Sequence, residues 1–236
     1  MALGNKTLDD LLNPISKQLE HDGVAETVEL PEWEFKATRV TDGLSQAELV
    51  DLFADEAAKV RVDVVRCSKD ELAARIAEIV GKGTPEDGEP CTVVCADDDR
   101  FAQAGLYEAI AAQDLVTKTT VWNNELSDES INAALVATYG ITYTTGGIAE
   151  TATVMQPTNP KCGRAISLLP LVHIAVVDAD AIKPTMLEVM QEYEAADSKL
   201  PSQVCFISGP SATADIELVR VEGVHGPMYV NYVIVE

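Results

Sequence analysis

The chain has 236 residues, of which 39 are acidic and 17 basic, so its formal net charge is −22 with the three histidines neutral. Such a field repels phosphate backbones and anionic lipid, which argues against nucleic-acid binding and membrane-surface binding. The composition, 47% hydrophobic and 24% charged, is that of a globular protein. No apolar run approaches the ~20 residues that span a bilayer, and residues 1–20 lack a secretory-signal pattern. We therefore expect a cytoplasmic protein.

Residues 1–44 are predicted to form an N-terminal arm, and residues 45–236 are predicted to form one α/β domain. In the arm, leucine and isoleucine recur at helical spacing from Leu8 to Leu19, which predicts a short amphipathic helix. Residues 32–36 alternate in the manner of an edge strand. Two interpretations of the arm remain open, since it either covers the core of its own subunit or docks on a partner.

From residue 45 to residue 135, helical stripes alternate with short apolar runs. Capping boxes at Ser45–Glu48 and Ser68–Glu71 each open a predicted helix, and further helices are predicted at 103–113 and 127–135. The apolar runs are predicted strands: Val62–Val65, Thr92–Cys95 and Leu115–Val121. This alternation is typical of a mostly parallel central sheet flanked by helices.

After residue 136 the sequence becomes richer in strand patterns. Strands are predicted around residues 148–155, 171–177, 203–207, 218–222 and 228–235. One helix is predicted in this half, with an apolar stripe of Ile182, Met186, Val189, Met190 and Tyr193. The fold class is therefore α/β with a β-richer C-terminal half.

The five cysteines indicate reduced, mostly buried thiols. In a strand, Cys91 and Cys95 would lie about 13 Å apart, too far for a disulfide bond, and the sequence contains no CxxC pair. The three histidines are scattered without the spacing of metal ligands. We therefore predict no metal, iron–sulfur cluster or other cofactor within this chain. His173, in an apolar run, is predicted to be a core histidine bonded to backbone.

The first candidate site segment is Thr144–Thr153. Its double glycine, Gly146 and Gly147, allows backbone to approach a ligand closely, and its amides can point at an anion. Glu150 follows among small and apolar residues, where desolvation favours a general base or nucleophile. The alternative is a tight turn in which Glu150 pairs with Arg164.

The second segment is Ser208–Glu217, which follows a predicted strand. Its free amides and the hydroxyls of Ser211 and Thr213 can form an anion cradle at the strand end. The alternative is a well-capped corner between that strand and a helical turn.

The third segment is Gly223–Pro227, in which glycines flank His225. A turn of this kind exposes an orientable imidazole that titrates near neutrality, although a structural histidine is the alternative. Arg164, in a local positive cluster, can receive a carboxylate or phosphate, and its alternative role is a surface counter-ion.

Taken in order, GGIAETAT, RAISLLPLVHIAVV, GPSATADIE and GVHGP resemble the lactate-utilization protein C family, whose members carry a LUD domain. The resemblance covers residues 45–236 and is strongest after residue 136. It implies a fold similar to sugar-phosphate isomerases and coenzyme A transferases. It also implies a role in oxidising L-lactate to pyruvate beside partner proteins that carry iron–sulfur clusters.

With the resemblance, the candidate site residues are as follows. The catalytic candidates are Glu150, Asp215 and His225, and the substrate-binding candidates are Thr145, Gly146, Gly147, Thr151, Arg164, Gly209, Ser211 and Thr213. Two residues depart from the family pattern, since Ala152 replaces the usual glycine and Ala212 replaces a basic residue. Without that basic residue, Arg164, the turn amides and the hydroxyls are left to bind a small carboxylate or phosphate. The alternative functions are a stand-alone transferase or isomerase of small acidic metabolites and a non-catalytic assembly module.

Overall fold

The computed structural model describes residues 8–20, 39–195, 201–214 and 219–236. The chain divides into two compact units, Met1–Thr38 and Arg39–Glu236. In the first unit, the described residues form the predicted helix of the arm, α1 (Leu8–Gln18). The edge strand predicted at 32–36 lies outside the described residues. None of the helices in the described ranges has the length and apolarity that a membrane crossing requires.

The second unit contains the remaining helices and all the strands of the described residues. In chain order the further helices are α2 (Gln46–Lys59), α3 (Leu72–Val80), α4 (Asp99–Gln103), α5 (Leu106–Ala111), α6 (Ser127–Leu135), α7 (Ala165–Leu168) and α8 (Met186–Ala195). The strands are β1 (Val62–Cys67), β2 (Cys91–Cys95), β3 (Val116–Val121), β4 (Tyr139–Tyr143), β5 (Gly146–Ile148), β6 (Thr153–Pro157), β7 (Val172–Asp178), β8 (Ile182–Lys183), β9 (Val204–Ile207), β10 (Ala212–Thr213), β11 (Val221–Glu222) and β12 (Tyr229–Val235).

The core of this unit is a six-stranded sheet in the order β1-β12-β7-β4-β2-β3. Every neighbouring pair in it is parallel. The central strand β7 is buried at Val172–Val177, because helices cover both faces of the sheet. The predicted fold class, α/β with a mostly parallel central sheet, is confirmed.

A smaller sheet, in the order β8-β5-β6-β9, lies beside the first and supplies the β-richer half. Helix α2 packs on both sheets through Leu49, Val50, Phe53 and Ala57. The ring of Phe53 stacks on that of Tyr232 in β12, with centroids 5.3 Å apart. The smaller sheet is thereby joined to the main sheet by a shared apolar core.

Both predicted capping boxes are present. The carboxylate of Glu48 accepts a hydrogen bond from the Ser45 amide at 2.8 Å, and the Ser45 hydroxyl accepts one from the Glu48 amide at 3.4 Å. Glu71 likewise accepts from the Ser68 amide at 3.1 Å. The second box opens a short 3-10 turn that leads directly into α3.

Three local predictions are wrong. The helix predicted at 103–113 begins at Asp99 and is divided into α4 and α5 at Gly105, whose φ of +68° is left-handed. The strand predicted at 148–155 is interrupted by a 3-10 turn, Ala149–Thr151. Ile182 belongs to β8 rather than to the helix that follows, because β8 pairs with β5 in the smaller sheet.

The thiols and His173 are largely placed as predicted. All five cysteines are free, with Cys205 half-buried and the others buried. His173 is fully buried in β7, but its Nε2 lies 2.9 Å from the Thr142 hydroxyl oxygen, so the recorded partner is a side chain rather than backbone. Burial lowers the pKa of His173 to about 4.

Candidate functional site

Polar side chains gather where the parallel strands β2, β4 and β7 end. Asp98 and Arg100 follow β2, Tyr143 is the last residue of β4, and Asp178 is the last residue of β7. These three strands are neighbours in the sheet, so their carboxyl ends lie side by side. Residues distant in the chain therefore meet at one edge, which we call the carboxyl edge.

Arg100 is the centre of this group. Its Nε and Nη2 donate to the two carboxylate oxygens of Asp98 at 2.9 and 2.8 Å, and its Nη1 donates to Asp178 at 3.3 Å. Its guanidinium lies over the ring of Tyr143, 3.4 Å from the ring centroid. The Tyr143 hydroxyl donates to the other oxygen of Asp178 at 2.6 Å. We call these four residues the Arg100 cluster.

The electrostatics of the cluster favour the charged form of Asp98 and the neutral form of Tyr143. Burial opposes ionisation of Asp98, but the hydrogen bonds and charge of Arg100 outweigh it, so the pKa of Asp98 lies below its ordinary value. For Tyr143, burial and the hydrogen bond to Asp178 both raise the pKa above its ordinary value. The phenol therefore stays protonated and remains the donor to Asp178.

The cluster lies at a topological switch point of the sheet. After β2 the chain forms α4 and then α5, which packs on α3 and α4. The ring of Phe101 in α4 lies 5.4 Å from that of Tyr143. Between β4 and β7 the chain forms α7 on the opposite face. Gly140 faces α7 so closely that a Cβ there would lie 1.9 Å from the Ile166 carbonyl oxygen. Ligands of open α/β sheets bind in the crevice at such a point.

Two cavities open beside the cluster and share Arg100 and Tyr143 as walls. The larger, of about 410 Å³, is also lined by Lys69, Asp70, Leu72, Gln103, Ala104 and Asp178. The smaller, of about 290 Å³, is also lined by Ala96, Asp98, Asp99, Asn159, Lys161 and Cys162. Both are of the size that holds a small molecule.

The two lysines of these cavities differ in their ion pairing, and the one cysteine is not ionised. Lys161 is held by Asp99 at 2.6 Å, whereas Lys69 forms no ion pair with any residue that the structure describes. Burial raises the pKa of Cys162 to about 12, so its thiol is protonated at neutral pH and is a poor nucleophile. No group of three or more His, Cys, Asp or Glu side chains in the described ranges is placed to hold a metal ion.

A model of the LUD domain matches residues 50–235. The chain belongs to the LUD domain family. A relative from Oceanobacillus iheyensis named Lactate utilization protein C is 30% identical, over 100% of both chains. A relative of the same name from Geobacillus kaustophilus is 33% identical, over 96% of this chain and 95% of its own. The family predicted from the ordered motifs is therefore confirmed.

The LUD fold also appears in a crystal structure of a DUF162 family protein from Deinococcus radiodurans. The two structures superpose with a TM-score of 0.51 over 82% of this chain and 99% of that one. At 23% identity, this likeness concerns the fold alone.

Glu150 of this LUD chain lies in the turn between β5 and β6. Its carboxylate accepts a hydrogen bond from the Met186 amide at 3.4 Å, in the first turn of α8. Arg164 donates instead to the side-chain oxygen of Gln203 at 2.7 Å. The alternative pairing of Glu150 with Arg164 is therefore not formed.

The double glycine is packed against protein. A Cβ at Gly146 would lie 2.6 Å from the Ala181 carbonyl oxygen, and one at Gly147 would lie 3.0 Å from the ring of Phe53. Both glycines are buried in β5, and the neighbouring Thr145 hydroxyl donates to a backbone carbonyl at 3.2 Å. The double glycine therefore lets its backbone lie close to α2 and to the start of β8, and the close neighbour is protein rather than a ligand.

The first and second motifs meet at the hydroxyl of Tyr232. This hydroxyl accepts a hydrogen bond from the Gly209 amide at 3.2 Å. Its single proton can be donated to the carbonyl oxygen of Ala152 at 3.0 Å or to that of Ile207, the residue before the second segment, at 2.9 Å. Beside it, the hydroxyls of Thr151, Thr153 and Ser208 form a chain with oxygen separations of 2.7 and 2.5 Å. These two segments are therefore held together, as the motif order suggests.

The second and third motifs meet at Ser211. Its amide donates to the Pro227 carbonyl at 2.9 Å, and its carbonyl accepts from the Gly223 amide at 2.8 Å. Thr213 lies in β10, which pairs with β11. The helical turn predicted after it continues into residues 215–218, which lie outside the described residues. Asp215 lies outside the described residues.

His225 is exposed in the turn that precedes β12. It lines a cavity of about 650 Å³ together with leucines that precede β4 and β7, at the amino edge of the sheet. The seven residues of β12 separate this edge from the carboxyl edge by roughly 20 Å. His225 and the Arg100 cluster therefore belong to different ends of the sheet.

The motif-based prediction missed the Arg100 cluster, although the sequence carries a signal for it. The run Ala96–Arg100, with three consecutive aspartates, directly follows the apolar strand Cys91–Cys95. Asp178 likewise directly follows the strand predicted at 171–177, whereas the strand that ends at Tyr143 was not predicted. Polar residues at the carboxyl ends of neighbouring parallel strands are the usual place to look for a site.

Proposed function

We propose that this protein acts in lactate utilization, as a component of a system that oxidises L-lactate to pyruvate. Support comes from its membership of the LUD domain family and from full-length relatives named Lactate utilization protein C. In this proposal the iron–sulfur clusters belong to partner proteins. This placement is supported by the side chains of the described ranges, where no three or more His, Cys, Asp or Glu residues converge as cluster ligands would.

We place the lactate-binding site at the larger cavity of the carboxyl edge, because Arg100, Lys69 and Asp178 all line it. Arg100 has five N–H donors and uses three of them within the cluster, which leaves two for a ligand. A 2-hydroxy acid offers a carboxylate to Arg100 and Lys69 and a hydroxyl to the Asp178 carboxylate. Tyr143 fixes Asp178 for this contact through its hydrogen bond.

Growth on L-lactate tests the proposal. A strain lacking the gene is complemented with the natural chain, with Arg100→Gln or with the matched control Arg66→Gln, whose side chain is similarly exposed and also ion-paired. We expect Arg100→Gln to abolish or strongly slow growth on lactate and the control to support it. Normal growth with a folded Arg100→Gln protein contradicts the assigned site.

Purification from lactate-grown cells tests the partner part of the proposal. We expect proteins with iron–sulfur absorbance to co-purify with the tagged chain. Turnover of acyl or sugar-phosphate substrates by the isolated chain, lost in Glu150→Gln, favours a stand-alone transferase or isomerase instead. Normal lactate oxidation with substitutions at Arg100, Glu150 and His225 favours an assembly module.

A further inference from the structure

A cavity of about 400 Å³ lies between α6, α7 and the segment that precedes α7. Its walls include Trp122, Ile131, Thr158, Gly163, Arg164 and Leu168. It has Asn159 in common with the smaller cavity at the carboxyl edge, and its other walls are different. The Arg100 cluster takes no part in it.

Arg164 is the charged side chain of this cavity. All seven arginines fall in the described ranges, and the other six each form an ion pair there. Among the described residues, the guanidinium of Arg164 is bonded only to the neutral side chain of Gln203, which occupies one of its five N–H donors. In a chain with 39 acidic residues, this arginine is left with donors for an external anion.

Two side chains that line this cavity have a buried hydrogen-bond donor without a partner among the described residues. The indole Nε1 of Trp122 and the hydroxyl of Thr158 are buried and form no hydrogen bond with the described residues. Gly163 brings backbone against the indole ring, since a Cβ there would lie 2.0 Å from Trp122 Cζ2. Unpaired buried donors are costly, so a ligand acceptor that reaches either atom would supply a hydrogen bond that the described residues do not.

Apart from Asn124 and Asn159, the rest of the wall is apolar. Ile131, Leu168 and Leu169 are all exposed, although residues of this type are normally buried. A cavity with an apolar wall and a few convergent polar groups is the usual form of a small-molecule site. Its single charge and its buried donors favour an anion at one end of the ligand.

We propose that this cavity binds a small organic carboxylate with an apolar tail. Arg164 pairs with the carboxylate, and Trp122, Ile131 and Leu168 contact the tail. The ligand differs from a 2-hydroxy acid such as lactate, which has too little apolar surface to cover this wall. The proposal does not depend on the function assigned to the Arg100 cluster.

Nuclear magnetic resonance of the tryptophan side chains tests the proposal. The chain has two tryptophans, so the Trp33→Phe variant assigns the indole N–H signal of Trp122. We expect hexanoate to shift this signal in the natural chain saturably. We also expect hexanamide, L-lactate and inorganic phosphate to bind at least about tenfold more weakly, because each lacks either the charge or the tail.

Arg164→Gln and the control Arg75→Gln, another exposed arginine, complete the test. We expect at least about tenfold weaker hexanoate binding in the first variant and unchanged binding in the second. An unshifted Trp122 signal overturns the proposal, and so does equal binding of hexanoate and hexanamide, or of hexanoate and lactate. The comparison of ligands uses the natural chain, so it decides even if Arg164→Gln does not fold.

Discussion

Tyr143→Phe is the most direct perturbation of the Arg100 cluster. It removes the hydroxyl that donates to Asp178 at 2.6 Å and retains the ring, which contacts Phe101 and lies beneath Arg100. A hydrogen bond to a charged group contributes about 1.5–3 kcal/mol. Asp178 keeps its bond from Arg100, and water reaches its side chain, which is 26% exposed. We therefore expect the free energy of unfolding to fall by about 1–2 kcal/mol.

The assay is urea unfolding, with thermal unfolding as a second measurement. For a domain of this size the loss corresponds to a drop in Tm of about 2–8 °C. Tyr229→Phe is the matched control, because Tyr229 is exposed and its hydroxyl bonds to none of the described residues; we expect a change below about 0.5 kcal/mol. If Tyr143→Phe is as stable as the control, the Tyr143–Asp178 bond does not stabilise the site and our reasoning about the cluster is refuted.

Three further predictions concern the sheet and its turns. Gly140→Ala should cost at least about 3 kcal/mol in urea unfolding, because the new Cβ meets the backbone of Ile166 in α7, and stability near that of the natural chain would contradict the packing. As pH falls from about 6.5 towards 4, His173 binds a proton in the unfolded chain but not in the folded one, so the folded state loses stability. Between pH 7 and 5 we expect the free energy of unfolding to fall by about 2 kcal/mol for this reason. This loss, measured by urea unfolding at both pH values, should be absent in His173→Gln. Ala152 has a left-handed φ of +47°, so Ala152→Val should destabilise by at least about 2 kcal/mol and Ala152→Gly should stay within about 1 kcal/mol; equal thermal stability of the two variants would exclude strain at this turn.

The local pattern of residues predicted those elements whose signals lie within a few neighbouring positions. The capping boxes at Ser45 and Ser68 form as predicted, because each requires only residues three apart. The continuous apolar runs form parallel strands because both faces of the sheet are covered. Position 152, where the resemblance implies a glycine, has a left-handed backbone, which glycine adopts without strain.

The prediction for Ile182 was wrong because a partner distant in the chain decides the structure there. Ile182 continues the apolar stripe of α8 by spacing, yet its backbone pairs with β5 and becomes strand. This pairing has no signal in the adjacent residues, because strand partners are selected by tertiary packing.

For the site, the sequence by itself determined the family, the fold class and the residue types at the strand ends. Only the tertiary structure decided which of these residues meet. Arg100 and Asp178 are 78 positions apart, and they come together because β4 lies between β2 and β7 in the sheet. His225 lies in an equally suggestive turn, but that turn precedes its strand and is therefore at the opposite edge. The order and direction of the strands follow from burying both faces of one sheet. They place His225 and the Arg100 cluster at opposite edges, which the motifs alone do not reveal.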